Sequence, residues 1–365
     1  MAKQHIKTRA LQLLRELTQA HGAPGCEDAV RRIFAAELGG AVHTDKTGNV
    51  YHVKRGTADG PRVMLTAHMD EVGFMVQSIT RQGLLRFVTL GSWSAQTLLA
   101  QRVRVRTRTG AEIVGVIGAK PPHLLSSNER DKLPNVEEMF IDVGARDRED
   151  VQDRFQIAIG DPVVPDSPFT QMFDPDVLLA KGFDNRVGLA LVLQAVEELR
   201  QVDHANTVYA VGTVQEEVGT RGAQTAVFET NPEVAVVLEG APADDFPSVS
   251  EDERQGVLGR GAQVRIMDPS AMMNKKFTQF VLDLATALEV PCQPSVRRSG
   301  GTDARVIHLH AAGVPTVVLA VPARYIHTHN SMINLADYEN TLELVVELLK
   351  RLNAEAVASF TRFLD

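Results

Sequence analysis

The chemistry of this chain gathers in a few acids and histidines, and its densest point is Gly212-Thr213-Val214-Gln215-Glu216-Glu217-Val218-Gly219. Residues 207–214 read as a buried apolar strand that stops abruptly at two adjacent carboxylates and a glycine. Two acids side by side at the edge of a core repel each other and are costly to hold unless a cation compensates them. Consecutive strand-end residues also point to opposite sides, so only one of the pair can be simply solvated. Four other segments set an acid or histidine after an apolar strand or at a helix start: His68-Met69-Asp70, Gly182-Phe183-Asp184-Asn185-Arg186, Leu238-Glu239-Gly240 and Arg324-Tyr325-Ile326-His327. Carboxylate oxygens mixed with imidazole nitrogens suit divalent zinc, cobalt or manganese, and two such ions need a carboxylate to bridge them.

Each segment taken singly has a structural reading. His68 is then a hydrogen-bonded core histidine, Asp184 a helix N-cap and Glu239 a solvated strand end. The joint pattern is what favours a metal centre. Gly300-Gly301-Thr302-Asp303 brings backbone close to a substrate at a helix start, or else supplies a turn and a cap. Asp268-Pro269 reads as a turn, and Trp93 as a packing or interface residue.

Alternating elements must position these groups. Helical patterns cover residues 1–20 and 28–38, with strands at 50–53 and 62–67. Residues 72–164 change texture to short strands with period-two alternation, such as Arg102-Val103-Arg104-Val105-Arg106, broken by glycines and Pro121-Pro122. Helix and strand alternate again afterwards: helices at 185–200, 221–229, 275–288, 303–312 and 336–358, and strands at 207–214, 234–238, 263–266 and 315–320. One α/β domain interrupted by a β-rich insert accounts for this order. In such sheets catalytic groups collect at the C-terminal ends of strands, where His68 and Asp70 lie.

Composition narrows the function. A net charge of −8 over 365 residues argues against a nucleic-acid or membrane-surface partner. No stretch approaches the ~18 apolar residues of a membrane span. The N-terminal pattern of Ile6, Ala10, Leu13, Leu14 and Leu17 is amphipathic and lacks a signal peptide's apolar core. The two cysteines, Cys26 and Cys292, form no metal-type pair, so a reducing cytoplasm is expected.

His68-Met69-Asp70-Glu71-Val72-Gly73-Phe74, Asp184-Asn185-Arg186, Gln215-Glu216-Glu217-Val218-Gly219, Gly300-Gly301-Thr302-Asp303-Ala304 and Arg324-Tyr325-Ile326-His327 closely resemble the tetrahedral-type dinuclear metallo-aminopeptidases. That family includes deblocking and glutamyl aminopeptidases, some of which have carried an endoglucanase label. The resemblance implies an α/β, mixed-sheet, zinc-peptidase-like catalytic core sandwiched by helices, residues 1–70 and 165–365. Between them, a PDZ-like or barrel-like insert, residues 71–164, would serve dimerisation and assembly. It implies two divalent ions per subunit, zinc or cobalt first and manganese next. Asp184 would bridge them, His68 and Glu239 completing one site, Glu217 and His327 the other. Glu216 would be the general base, Asp70 would orient His68, and Gly300, Gly301 and Thr302 would touch substrate. Asp244 and Asp245 rival Glu239, and His329 rivals His327.

The expected activity is removal of N-terminal residues from peptides by a metal-activated water, in a cytoplasmic enzyme whose dimers build a tetrahedral dodecamer. A metal-dependent carboxypeptidase, dipeptidase or deacylase is the nearest alternative. A glycosidase would need two carboxylates flanking a sugar bond and no metal. A non-catalytic scaffold would have lost a ligand or the base, and here all are present.

Overall fold

The computed structural model describes residues 2–57, 59–126 and 132–364. Two helices open the chain, α1 (Ala2–Gln19) and α2 (Asp28–Leu38), the second stopping at Gly39, whose φ of 63° favours glycine. Strands β1 (Val42–Thr44), β2 (Val50–Lys54) and β3 (Arg62–His68) follow. The chain then leaves this layer for β4 (Gly73–Ile79), β5 (Leu85–Leu90), β6 (Arg102–Arg106), β7 (Glu112–Gly118), β8 (Phe140–Asp142) and β9 (Pro162–Pro165). It returns through β10 (Thr170–Gln171), β11 (Val177–Ala180), α3 (Phe183–Glu198), β12 (Thr207–Thr213), α4 (Arg221–Thr230) and β13 (Val234–Pro242). The remainder is β14 (Ala262–Asp268), β15 (Ala271–Met272), α5 (Lys275–Ala287), β16 (Cys292–Val296), α6 (Ala304–Ile307), β17 (Thr316–Arg324), β18 (Ser331–Asn334), α7 (Leu335–Arg351) and α8 (Ala354–Ser359).

Among the described residues, twelve strands form one mixed sheet whose main path runs β1-β2-β12-β3-β13-β17-β18-β11-β10. Its centre, β12, β3, β13 and β17, is parallel. These strands are continuous apolar runs because helices cover both their faces. Helix α3 is apolar nearly all round, and its side chains from Asn185 to Val196 are buried, as a helix held inside a core requires. It lies on β3 and β13 with α1, α2 and α7 around it. Close approach is possible because residue 188 is glycine: a Cβ there would stand 2.6 Å from the Leu238 carbonyl oxygen and 2.9 Å from the Ala67 Cβ.

The insert closes on itself as the barrel β4-β5-β8-β7-β6-β9. Period-two alternation turns Val103 and Val105 inward, joining Phe74, Ile117, Ile141 and Val163 in a separate core. Arg104 faces out and ties the barrel to α1, donating to the Gln19 carbonyl at 3.1 Å.

Two expected helices are shorter than their patterns. The 303–312 segment is helical only over α6, and the chain turns at Ala311 and Gly313, both at positive φ, before it enters β17. The C-terminal segment breaks at Leu352, where Asn353 caps α8 by accepting from the Ala356 amide at 2.9 Å. Among the described residues no helix is long and apolar enough to cross a membrane.

Candidate metal centre

The parallel strands deliver their C-terminal ends to one edge of the sheet, the usual position for a site in such a fold. His68 ends β3 and stands in register with Thr213, the last residue of β12. Glu239 lies on β13 opposite Ala320, and His327 follows β17 in a turn where it has φ 57°. Asp184 enters from the start of α3, where its non-helical φ and ψ turn the side chain out of the helix. Asn185 anchors that start, donating to the Leu238 carbonyl at 2.8 Å and accepting from the Gly188 amide at 3.1 Å.

Glu216 and Glu217 are not on a strand. β12 ends at Thr213, and Gln215, at φ 57°, turns the chain before the acids are reached. Both side chains consequently line the same cavity of about 580 Å³, which corrects the expectation that they point to opposite sides of a strand end. Asp70 shapes this turn, its two carboxylate oxygens each accepting one amide, from Glu216 and from Glu217, both at 3.0 Å.

The Asp184 carboxylate presents Oδ1 to His68 Nε2 at 3.1 Å and Oδ2 to His327 Nε2 at 3.3 Å. Glu239 stands 3.7 Å from His68 Nε2, and Glu217 3.5 Å from His327 Nε2. Glu216 reaches to 4.0 Å from His68 Nε2. Donor atoms lie within 4.8 Å of one another in three trios: His68, Asp184 and Glu239; Asp184, Glu217 and His327; and His68, Glu216 and Glu217.

The far ring nitrogens identify the tautomers. His68 Nδ1 is 3.1 Å from the Asp70 carbonyl oxygen, with an Asp70 carboxylate oxygen at 3.4 Å, and His327 Nδ1 is 2.9 Å from the Ser92 carbonyl oxygen. Carbonyls only accept, so each Nδ1 carries the proton. In a neutral ring Nε2 then aims a lone pair at carboxylate oxygens. That contact is repulsive unless a proton or a metal ion lies between.

The electrostatics of the cluster favour a bound cation. Burial pushes Glu217 up to about 8, with Asp184 adding to the shift against His327, and raises Glu216 and Glu239 well above the ordinary carboxylate range. Asp184 is held low despite its burial by His327 and His68. His327 in turn rises to about 9 against burial, through Glu217 and Asp184. Oε1 of Glu217 is buried with no hydrogen-bond partner. Oxygen and imidazole donors around a shared carboxylate, with one carboxylate oxygen orphaned, fit divalent cations.

The rivals stand elsewhere. Asp245 accepts both Nε and Nη2 of Arg324, and Asp244 pairs with Arg297 at 2.7 Å. His329 is buried against Trp93, ring centres 5.4 Å apart. Gly300, Gly301 and Thr302 line the cavity, while Thr302 Oγ1 also accepts the Ala304 amide at 3.2 Å. Asp268 is the turn residue expected, accepting from the Ser270 and Ala271 amides. Sequence reasoning passed over Arg265, a buried arginine on β14 that is among the residues lining the cavity and whose Nε has no partner. An arginine inside an apolar strand run was the available signal. It also passed over Ser92, which acts through its backbone and leaves no side-chain signal.

The sequence profile of the M42 glutamyl aminopeptidase family matches residues 48–344. The chain belongs to that family. Its glutamyl aminopeptidase relative from Lactococcus lactis subsp. cremoris is 34% identical, the match covering 96% of this chain and 98% of the relative. A crystal structure of a TET aminopeptidase from the marine sediment archaeon Thaumarchaeota archaeon SCGC AB-539-E09 superposes with TM-score 0.93 at 40% identity, over 97% of this chain and 99% of that one. The TET1 peptidase of Pyrococcus horikoshii, described as assembling into a tetrahedron or a large octahedral shell, superposes with TM-score 0.84 at 28% identity, over 94% of this chain and 100% of that one. This M42 chain is accordingly an aminopeptidase of the metallopeptidase type, and divalent metal suits its clustered donors.

Proposed function

We propose that this M42 chain removes N-terminal residues from peptides with two divalent ions, zinc or cobalt first and manganese next. His68, Asp184 and Glu239 would hold one ion, and Asp184, Glu217 and His327 the other. The observation that carries this is the Asp184 carboxylate, one oxygen toward each histidine. Bound ions there supply Lewis-acid polarisation of the scissile carbonyl and a lowered water pKa. Glu216, in the same cavity, takes the proton of the attacking water and returns it to the leaving amine. Burial, helped by Glu217 and Asp303 and opposed by His68, raises the Glu216 carboxyl well above the usual range. Asp70 keeps His68 in its Nδ1–H form and fixes the Glu216-Glu217 turn, while Gly300, Gly301 and Thr302 offer backbone and hydroxyl to the peptide.

The cavity wall favours an acidic first residue. Beyond Asp184, Glu216, Glu217 and Glu239 it carries no acid among the described residues, but it carries Arg265 and Arg305. Arg265 shares its charge with Asp268 at 3.3 Å and keeps Nε unpartnered. Substituting Arg265→Met should lower kcat/KM for glutamyl-p-nitroanilide about 10- to 100-fold relative to the leucyl substrate, from ~1.5–3 kcal/mol for a hydrogen bond to a charged group. Equal losses on both substrates would remove Arg265 from this role.

Free and N-blocked peptides, assayed after EDTA treatment and readdition of zinc, cobalt or manganese, test the activity itself. Cleavage restricted to free N-termini is expected. Equal cleavage of blocked peptides would favour a deacylase or endopeptidase. We also assign residues 71–164 to assembly, residues 1–70 and 165–365 to catalysis, and the enzyme to a hollow tetrahedral dodecamer in the cytoplasm. Support comes from the shell-forming P. horikoshii relative, and a strictly monomeric active species in sedimentation would overturn it.

A further inference from the structure

The two histidines of the centre are oriented by different parts of the molecule. His68 is held within its own segment, by Asp70 two residues on, and its side chain is 2% exposed. His327 is 31% exposed and sits in a turn where Tyr325 and His327 itself both have positive φ. Its Nδ1–H goes instead to the Ser92 carbonyl, 2.9 Å away in the segment that follows barrel strand β5. One ligand's tautomer and ring angle are therefore set from the barrel.

Ser92 is itself fixed from both sides. Before it, Gly91 has φ 82° and lies so close to the centre that a Cβ would stand 3.1 Å from Glu217 Oε2 and 2.7 Å from Val72 Cγ1. After it, Trp93 donates Nε1–H to the Gly73 carbonyl at 3.1 Å and stacks on Phe74 with ring centres 4.6 Å apart and planes at 26°. The indole also meets His329, two residues beyond His327, with ring centres 5.4 Å apart. Neither nitrogen of His329 is hydrogen-bonded, so this buried ring is packing for the indole. Trp93 thus pins the 91–93 segment to the first strand of the barrel on one side and to the ligand-bearing 327–329 turn on the other.

We infer that Gly91-Ser92-Trp93 is a strap controlling metal affinity at the Asp184, Glu217 and His327 site alone, with Trp93 as its positioning residue. The strap touches two donors of that trio and neither His68 nor Glu239. A hydrogen bond to the far nitrogen of a ligating histidine fixes its orientation and raises its basicity, and loss of such a partner costs about 10- to 100-fold in metal affinity. The inference rests on the two-ion reading and adds that the two ions answer to different parts of the fold.

The test is zinc and cobalt binding to the full chain in the wild type, Trp93→Leu, Trp93→Phe and Gly91→Ala. Metal per chain is measured at buffered free-ion concentrations, with the cobalt absorption spectrum as a second readout and circular dichroism as a check on folding. Trp93→Leu and Gly91→Ala should weaken one of the two ions about 10- to 100-fold and leave the other at wild-type affinity. Trp93→Phe, which keeps the stack and loses the indole hydrogen bond, should shift the same ion by less. If Trp93→Leu does not fold, Gly91→Ala and Trp93→Phe decide. Unchanged affinities, or equal weakening of both ions, would overturn the strap while leaving the two-ion reading intact. A wild type that binds only one ion would end both.

Discussion

At the scale of single residues, the centre depends on which atom faces which. Glu216 and Glu217 are neighbours of one type in one cavity, and they differ in what stands before them. Glu217 Oε2 faces His327 Nε2 at 3.5 Å, while Glu216 keeps 4.0 Å from His68 Nε2. Glu216→Gln preserves shape and removes basicity, so it should retain wild-type metal content and lose about 10²- to 10⁴-fold in kcat. Near-normal turnover in that variant would transfer the base elsewhere. The residue types of the centre were legible in the sequence, because acids and histidines after apolar runs need a reason to be there. Their contacts were not, since Asp70's bonds to two amides and Ser92's bond to His327 run between segments distant in sequence.

At the scale of elements, the helix that carries Asp184 works because it lies very close to the sheet. Gly188→Ala would press a methyl against the Leu238 carbonyl, Ala67 and the Asn185 side chain that anchors the helix start. Overpacking of this kind costs about 1–3 kcal/mol, and a lowered melting temperature together with weakened metal binding is the expected outcome. Full stability with normal metal affinity would show that α3 can shift without cost. The long apolar strands and helix α3 were legible because burial on all sides leaves continuous apolar runs. The ends of α6 and α7 were not, because helical patterning continues past residues that tertiary packing turns aside. Asn353 was the overlooked signal: it starts α8 and directs Phe360 onto Phe277, ring centres 4.5 Å apart.

At the scale of the whole molecule, the seam between core and barrel has its own pH dependence. His21 is buried there, and burial, with Lys181, Arg106 and Arg104 adding, lowers its pKa from 6.5 to about 3. The unfolded chain then binds the extra proton between those two values, so the contribution of His21 to stability is full above pH 6.5 and is lost as the pH drops toward 3. Melting temperature should decline more steeply between pH 6.5 and 5 in the wild type than in His21→Gln, and parallel declines would assign the slope to other groups. Chelation acts on the core: with EDTA the buried acids lose their compensating charge, so peptidase activity should vanish and the melting temperature fall, both returning with zinc or cobalt. Activity that survives exhaustive chelation would contradict the metal reading. The topology has one more consequence. An enzyme fed with extended peptides risks having them pair with its own sheets, since an exposed strand edge is a template for any unfolded chain. Here the barrel strands close in a ring, and among the described residues the outer strands of the large sheet are either two or three residues long, as in β1, β10 and β15, or carry a proline, as β16 does at Pro294. A peptide meeting those outer strands of the large sheet finds little ladder to extend, which favours backbone contacts inside the cavity.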